Sequence, residues 1–418
     1  MSRLQELIAE LCPDGVEYKA LGELGSLLRG KRFVRNDFVE QGTPCIHYGE
    51  LYTHYGVSAS EVISHVRDEI APKLRYAQPG DVIIVGAGET VEDIGLGVAW
   101  LGDVPVAVHD ACYTLHQDLL DPVFVSYFLR TDDFHLQIRK YIGSSKVSSV
   151  SSKGLAKARI PVPPIEVQRE VVRVLDEYTA AHDELVRQLE EEMGLREQQL
   201  SVVRDDLFDF NSDTKMEPLG SICSIRGRIG FRGYTKADIV PAGEGAISLS
   251  PSNIVGGQLF SEKSTYVSWD KYYESPEIMV SIGDVLFVKT GSTVGKVAFV
   301  DTLPCHATIN PQMIVMKDFA SGCDPRFISH YLQTSVAQVE IQQMAGVGSV
   351  PNISQKRFAS IEVPLPSIEV QEKIVEELDM FLAAHKELMI HLASEFELQD
   401  GQLSHVRNQL LSFPEKAV

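Results

Sequence analysis

Cysteine, tryptophan and positive charge are the scarce features of this chain. Its 418 residues include six cysteines and two tryptophans, and 38 Lys and Arg stand against 58 Asp and Glu, a net charge of −20. Cys12, Cys45, Cys112, Cys223, Cys305 and Cys323 lie far apart with no Cys-x-x-Cys pair. That spacing excludes a zinc ribbon or finger, and so large a chain needs no disulfide framework; buried, reduced thiols are expected. No apolar run approaches the roughly 18 residues of a membrane span. The opening segment carries acids early and has no apolar core, so no signal peptide is expected and the reading is cytoplasmic. The shortage of basic residues argues against a generally sticky nucleic-acid binder, yet leaves room for a local basic face.

What is present is a repeat. Ile160-Pro-Val-Pro-Pro-Ile-Glu-Val-Gln168 recurs as Val363-Pro-Leu-Pro-Ser-Ile-Glu-Val-Gln371, an offset of 203 residues, and 161–185 match 364–388 at 14 of 25 positions without gaps. Asp121-Pro122, Gly143, Ser151 and Lys153 find partners at the same offset in Asp324-Pro325, Gly346, Ser354 and Lys356. The register slips between Asp81 and Asp121, where loop length varies. A period this long is a duplicated domain pair and not a solenoid.

Residues 165–210 contain no proline and carry an apolar stripe through Val171, Leu175, Tyr178, Leu185 and Leu189, which predicts one long helix of coiled-coil character. The stripe returns in 368–413 through Leu378, Phe381, Leu388 and Leu392. The preceding prolines mark sharp helix entries. The intervening stretches alternate β-rich runs such as Val82–Val85 and Val285–Val288 with Gly, Ser and Pro turns, and short helices are expected at 122–140 and 325–344. The fold class is therefore α+β: two mixed α/β domains separated by two long antiparallel helices, with an internal pseudo-two-fold repeat. The expected divisions are a helical segment 1–19 that packs on the C-terminal helix, a first block 20–164, a central helix 165–212, a second block 213–367 and a final helix 368–418.

Charge is unevenly spread. Residues 165–210 carry a net −8 and 368–418 a net −6, so most of the excess sits on the helices, faces suited to a basic protein partner. The blocks hold local basic clusters: Arg29, Lys31, Arg32 and Arg35 open the first, and Arg226, Arg228 and Arg232 open the second at nearly equivalent positions. Arginine reaches phosphates or pairs bidentately with guanine, and the interleaved glycines permit close approach. A second matched pair of loops offers Ser144, Ser145, Lys146 and Ser148 in one block, and Ser349, Asn352 and Lys356 in the other. Tyr48 and Tyr52 could stack or read a groove. Lys289, Ser292, Thr293 and Lys296 are candidate backbone contacts. Gly291-Ser-Thr-Val-Gly-Lys296 is one residue short of a phosphate-cradling loop, and neither a complete amino-methyltransferase signature nor a dinucleotide-binding glycine motif is present. No metal spacing or catalytic triad is found, so no catalytic or cofactor site is expected.

Two variable blocks, each followed by a proline-flanked Ile-Glu-Val-Gln helix with a leucine stripe, resemble the specificity subunit of type I restriction-modification systems. The opening Leu7-Ile-Ala-Glu-Leu-Cys-Pro-Asp-Gly-Val-Glu-Tyr18 and the closing Arg407-Asn-Gln-Leu-Leu-Ser-Phe413 fit that family too. The resemblance implies a non-catalytic subunit in which each block reads one half of a bipartite double-stranded DNA target. It implies that the helices fix the spacer and dock two modification subunits, with Val171, Leu175, Tyr178, Leu185, Leu378, Phe381, Leu388 and Leu392 as candidate docking residues. S-adenosylmethionine, ATP and Mg would belong to the modification and restriction subunits. The competing readings are a self-sufficient DNA methyltransferase or nuclease and a structural coiled-coil adaptor.

Overall fold

The computed structural model describes residues 3–143, 148–228, 234–262, 264–346 and 350–416. Two compact units emerge, Met1–Leu189 with Ala393–Val418, and Glu190–Leu392. The units therefore cut across the long helices, whereas the linear boundaries run along their ends.

Both long helices form as the stripe and the absence of proline predict, Ile165–Leu207 and Ile368–Leu410, 43 residues each. At 1.5 Å per residue each extends about 64 Å. The short helices also recur, but each expected segment is split in two: Pro122–Phe128 and Asp132–Arg139 in one unit, Pro325–Tyr331 and Ser335–Ala345 in the other. The breaks follow from capping. Asp121 accepts the N–H groups of Val123 and Phe124 ahead of Pro122, and Thr131 then accepts that of Phe134. Asp324 and Thr334 cap the counterpart helices through Arg326 and Ala337. Each cap satisfies donors that a helix N-terminus leaves orphaned.

In the first unit a five-stranded sheet runs in the order Ser26–Arg29, Cys112–His116, Val82–Val85, Gly97–Trp100, Ser58–Ala59. A second five-stranded sheet places Thr43–Ile46 parallel to Val106–Val108. Val82–Val85 and Gly97–Trp100 are buried on both faces, which explains their unbroken apolar sequence. The helix Pro122–Phe128 covers this sheet with Phe124, Tyr127 and Phe128. Val167, Val171 and Leu175 of the long helix complete the same core. The N-terminal helix Arg3–Leu11 joins it through Leu4, Leu7 and Ile8, alongside Leu411 and Phe413. Val16 donates to Pro414 O and accepts from Lys416 N, at 2.8 and 2.9 Å, so the segment after that helix is bonded to the residues beyond the second long helix. Within this unit the helix segments are antiparallel: His182 meets Asp400 at 3.0 Å, while Asp176 and Thr179 share a cleft with Leu403 and Arg407.

The second unit repeats the plan. Its first sheet is ordered Ser224–Gly227, Met313–Lys317, Val285–Val288, Val297–Phe299, and its second places Ala246–Leu249 parallel to Ala307–Ile309. Ile374, Val375 and Leu378 enter its core as Val171 and Leu175 enter the other. Among the described residues no helix is long and apolar enough to cross a membrane.

Candidate nucleic-acid interface

The basic loop of the first unit is fixed by its backbone. Where the strand Ser26–Arg29 ends, Arg29 Nε donates to Asp110 O at 2.6 Å, Gly30 N to Cys112 O at 3.0 Å and Lys31 N to Val108 O at 2.9 Å. A Cβ on Gly30 would lie 2.2 Å from His109 O and 2.3 Å from Val108 O, so only glycine allows this approach. Phe33 is buried beside Phe38 and His109, with ring centroids 5.6 and 4.9 Å away. The buried ring anchors the loop and leaves Lys31, Arg32 and Arg35 exposed around it.

Beside the loop stands an aromatic and imidazole cluster. His47 and His109 lie 4.6 Å apart, Tyr48 sits 4.4 Å from His47, and Tyr52 lies 6.3 Å beyond Tyr48. Each imidazole Nδ1 accepts a main-chain N–H, His47 from Gly49 and His109 from Ala111, which places the remaining ring proton on Nε2. Burial lowers the pKa of both rings. The neighbouring His109 lowers His47 further, with Glu50 opposing; for His109 the nearby Asp110 opposes. Both imidazoles are thus held neutral. Ser148 begins the strand Ser148–Val150, which pairs with Gly88, and it is buried; Ser144, Ser145 and Lys146 lie outside the described residues.

The second unit builds the same corner with other residues. Asn310 stands where His109 stands, its Oδ1 accepting Gln312 N at 3.0 Å. Ser250 and Asn253 likewise replace His47 and Glu50: Asn253 Oδ1 accepts Ser250 N at 2.9 Å, as Glu50 Oε2 accepts His47 N at 3.0 Å. Lys289 N donates to Gln312 O and Lys289 O accepts Ile353 N, both at 2.9 Å. Thr290 donates its hydroxyl to Asn352 Oδ1. Lys289 and Asn352 are thereby gathered at one end of the sheet, with exposed Ser292 and half-buried Thr293 on the same loop, and Lys356 is exposed on the short helix Gln355–Phe358 that follows.

Several expectations change in the structure. The sheets pair Arg29 with Tyr113 and Gly227 with Ile314, so by register Arg29 matches Gly227, Gly30 matches Arg228 and Arg226 matches Leu28. The basic clusters are one residue out of step, and Arg226 emerges from the opposite face of its strand. Arg228 is buried, with Nε donating to Ile309 O at 3.0 Å and its guanidinium 5.8 Å from the Tyr234 ring. It braces the turn that carries Asn310 and is not a free contact. Lys296 is turned away as well, its Nζ donating to Ile254 O at 2.9 Å. Arg232 and Ser349 lie outside the described residues.

Val171, Leu175 and Leu378 are fully buried within the chain's own cores and cannot present a docking surface. A leucine stripe marks the side that a helix turns inward, and here its first turns meet the block. Tyr178, Leu185, Phe381, Leu388 and Leu392 are half-buried, while Ile165, Leu195, Val202, Val370, Met380, Ile390 and Leu398 are exposed apolar side chains of the helices. The pair His47 and His109 was missed by sequence reasoning, because His109-Asp110 reads as a dipeptide without catalytic meaning. Its signal is positional, just past the strand Val106–Val108 and opposite the basic loop. Among the described residues no group of three or more His, Cys, Asp or Glu is placed to hold a metal ion.

Comparison with known proteins gives a consistent picture. The family described as type I restriction modification DNA specificity domain matches residues 13–193 and again 223–395. The chain is 26% identical over 278 residues to the Escherichia coli type I restriction enzyme EcoR124I/EcoR124II specificity subunit, covering 65% of this chain and 67% of that one. It is 19% identical over 387 residues to the MjaVIII specificity subunit of Methanocaldococcus jannaschii, covering 88% and 86%. Among solved structures, a chain from work on complex assembly and conformational transition of the type I R-M system superposes with a TM-score of 0.73 at 16% identity, covering 96% and 98%. The HsdS subunit from Thermoanaerobacter tengcongensis gives 0.50 at 16% identity, covering 96% of each chain. These two likenesses speak to the fold.

Proposed function

Because the chain belongs to the family of type I restriction-modification DNA specificity subunits, we propose that its two units each read one half of a bipartite DNA sequence and that its long helices set the spacer between them. The subunit is itself non-catalytic, and the family's cofactors reside on the modification and restriction subunits. The observation that carries the division of labour is the repeated corner. Both units bring a strand end, a turn capped by its own His109 or Asn310, and a Lys- or Ser-bearing loop to one place, then vary the residues there. A shared scaffold with different side chains suits two half-sites of different sequence. Arg29, Lys31, Arg32, Arg35, Tyr48 and Tyr52 would serve the first half-site. Lys289, Ser292, Thr293, Asn352 and Lys356 would serve the second. Exposed Lys and Arg hold phosphates, and the polar turn residues reach base edges.

The equal 43-residue helices support a fixed ruler. Dimeric DNA readers place half-sites about 34–36 Å apart, one helical turn, and a rigid helical spacer serves the same purpose within one chain. Two modification subunits would dock on the helices and restriction subunits on that assembly. Methylome sequencing of cells that express this chain with its modification subunit tests the proposal. A bipartite methylated-adenine motif is expected, whose spacer alone changes when residues are inserted in 190–200. A contiguous motif, or an unchanged spacer, would overturn it. Methylation by the isolated chain would favour a self-sufficient methyltransferase.

A further inference from the structure

Where each block meets the long helices, half-buried arginine side chains form no ion pair among the described residues. In the first unit a cleft of about 460 Å³ is lined by Tyr127, Arg130, Asp176, Asp183, Leu403 and Arg407. Arg130 donates through Nη2 to Gly56 O at 2.6 Å and to Gly97 O at 3.2 Å, and Arg407 through Nη2 to Ser404 Oγ at 3.1 Å. The Nε–H groups of both are buried and lack a hydrogen-bond partner. Neither guanidinium forms an ion pair among the described residues. Asp176, in the same cleft, accepts the Tyr127 hydroxyl at 2.8 Å, and Asp132, whose charge acts on Arg407, accepts Asn408 Nδ2 at 2.7 Å. Burial pushes the Arg130 guanidinium down to about 10, and the adjacent Arg407 adds to the effect. Two like charges share a desolvated wall, and neither is closed into an ion pair by the aspartates nearby.

The second unit repeats the arrangement 203 positions along. Arg204 stands in the place of Arg407, Asp379 in that of Asp176, and Gln333 in that of Arg130, around a cleft of about 440 Å³. Arg204 Nε is again buried without a partner, and its nearest bond, to Gln333 O, is long at 3.5 Å. Asp379 is already occupied by Arg326 at 2.5 Å and His330 at 3.1 Å. The duplication keeps the unpaired helix arginine while the residues around it change. Nη1 of Arg130 and Arg407 and Nη2 of Arg204 take no part in these bonds, and a guanidinium head lining a cleft is the planar fork that a carboxylate engages.

We propose that each cleft is a carboxylate-binding socket that captures an acidic side chain of one modification subunit. This rests on the reading that modification subunits dock on the long helices, and it deepens that reading by naming the contact. DNA phosphate is the weaker candidate for two reasons. The first socket also presents Asp176 and Asp183, and the helices that wall both sockets carry net charges of −8 and −6, which repel a polyanion. A protein segment with one acid flanked by bases satisfies the arginines and the aspartates together.

The test is assembly of the purified complex, read by native mass spectrometry as modification subunits bound per chain. Wild type is expected to bind two. Arg407→Gln should bind one, Arg204→Gln should bind one, and the double variant should lose both or bind at least tenfold more weakly. Thermal melting of each isolated variant separates loss of the socket from loss of the fold. If Arg407→Gln does not fold, Arg407→Lys, which keeps the charge and loses the fork, takes its place with the same expectation. Full stoichiometry in folded variants overturns the socket and leaves the family reading intact. A wild-type chain that binds no modification subunit overturns both. Unchanged assembly with weaker DNA binding and a shallower salt dependence assigns the sockets to phosphate and overturns the proposal.

Discussion

Gln168 Oε1 accepts the main-chain N–H of Asp121 at 2.7 Å, while its Nε2 donates to Pro163 O at 2.7 Å. Gln371 repeats both bonds, with Asp324 N at 2.9 Å and Pro366 O at 2.8 Å. The glutamine that closes each Ile-Glu-Val-Gln motif is thus buried, at 1% and 0% exposure, and ties the long helix to the N-cap of the helix that covers the sheet. The motif recurs because it is a joint. Its prolines turn the chain, its glutamine fixes the angle at which the helix leaves the block, and in the first unit Val167 also enters the core, whereas the matching Val370 is exposed.

Replacing Gln168 by Ala leaves the part-buried Asp121 N–H without its partner, a loss of about 1 kcal/mol. Hydrogen exchange should show the amides of Pro122–Phe128 opening in the first unit while Pro325–Tyr331 keeps its protection; Gln371→Ala should reverse the pattern. Equal opening in both units would refute the joint.

Gly194 and Gly401 lie inside the long helices, and a Cβ added at either meets nothing within 4 Å. Gly194→Ala and Gly401→Ala should each stabilise the chain by about 0.5–1 kcal/mol, as alanine does in an unobstructed helix interior. A raised melting temperature checks this, and methylation spacing should stay unchanged.

Acid should loosen the first unit before the second. Burial holds the pKa of His47 and His109 below the ordinary imidazole value of 6.5, so the unfolded chain takes up these protons first. The neutral rings contribute stability that is complete above pH 6.5 and is lost as pH falls through their folded values. Ser250 and Asn310 occupy the equivalent positions and do not titrate in this range. Exchange protection around Val106–Val108 should therefore fall between pH 7.5 and 5.5 while that around Ala307–Ile309 holds. His47→Asn with His109→Asn should abolish the difference.

Replacing Arg29, Lys31 and Arg32 with Ala should weaken DNA binding by the assembled complex and reduce the slope of log K against log salt by about 0.9 for each phosphate no longer neutralised. An unaltered slope would return these side chains to solvent. Arg228→Ala should instead lower the stability of the second unit, because its Nε holds Ile309 O.

The order of elements was legible in the chain. An ungapped repeat, proline-free stripes and capping residues such as Asp121 and Thr131 act within a few positions of one another, so composition and spacing reveal them. The basic loops were found but misaligned, since the one-residue shift between Arg29 and Arg226 exists only in the strand pairing. Three of the docking candidates, Val171, Leu175 and Leu378, were misread for a related reason. Periodicity locates an apolar face but does not say whether the chain's own core or another subunit covers it.

The excess negative charge on the long helices, the duplication and the family follow from sequence alone, because they are sums and matches along the chain. Tertiary structure decided what lies between distant segments. It brought His47 beside His109 and pinned Gly30 against the turn after Val108. It also sealed Val171 and Leu378 inward and set Arg130 against Arg407 with the Nε–H of each unbonded. Those relationships depend on residues dozens to hundreds of positions apart, and only folding puts them within the few ångströms over which hydrogen bonds and desolvation act.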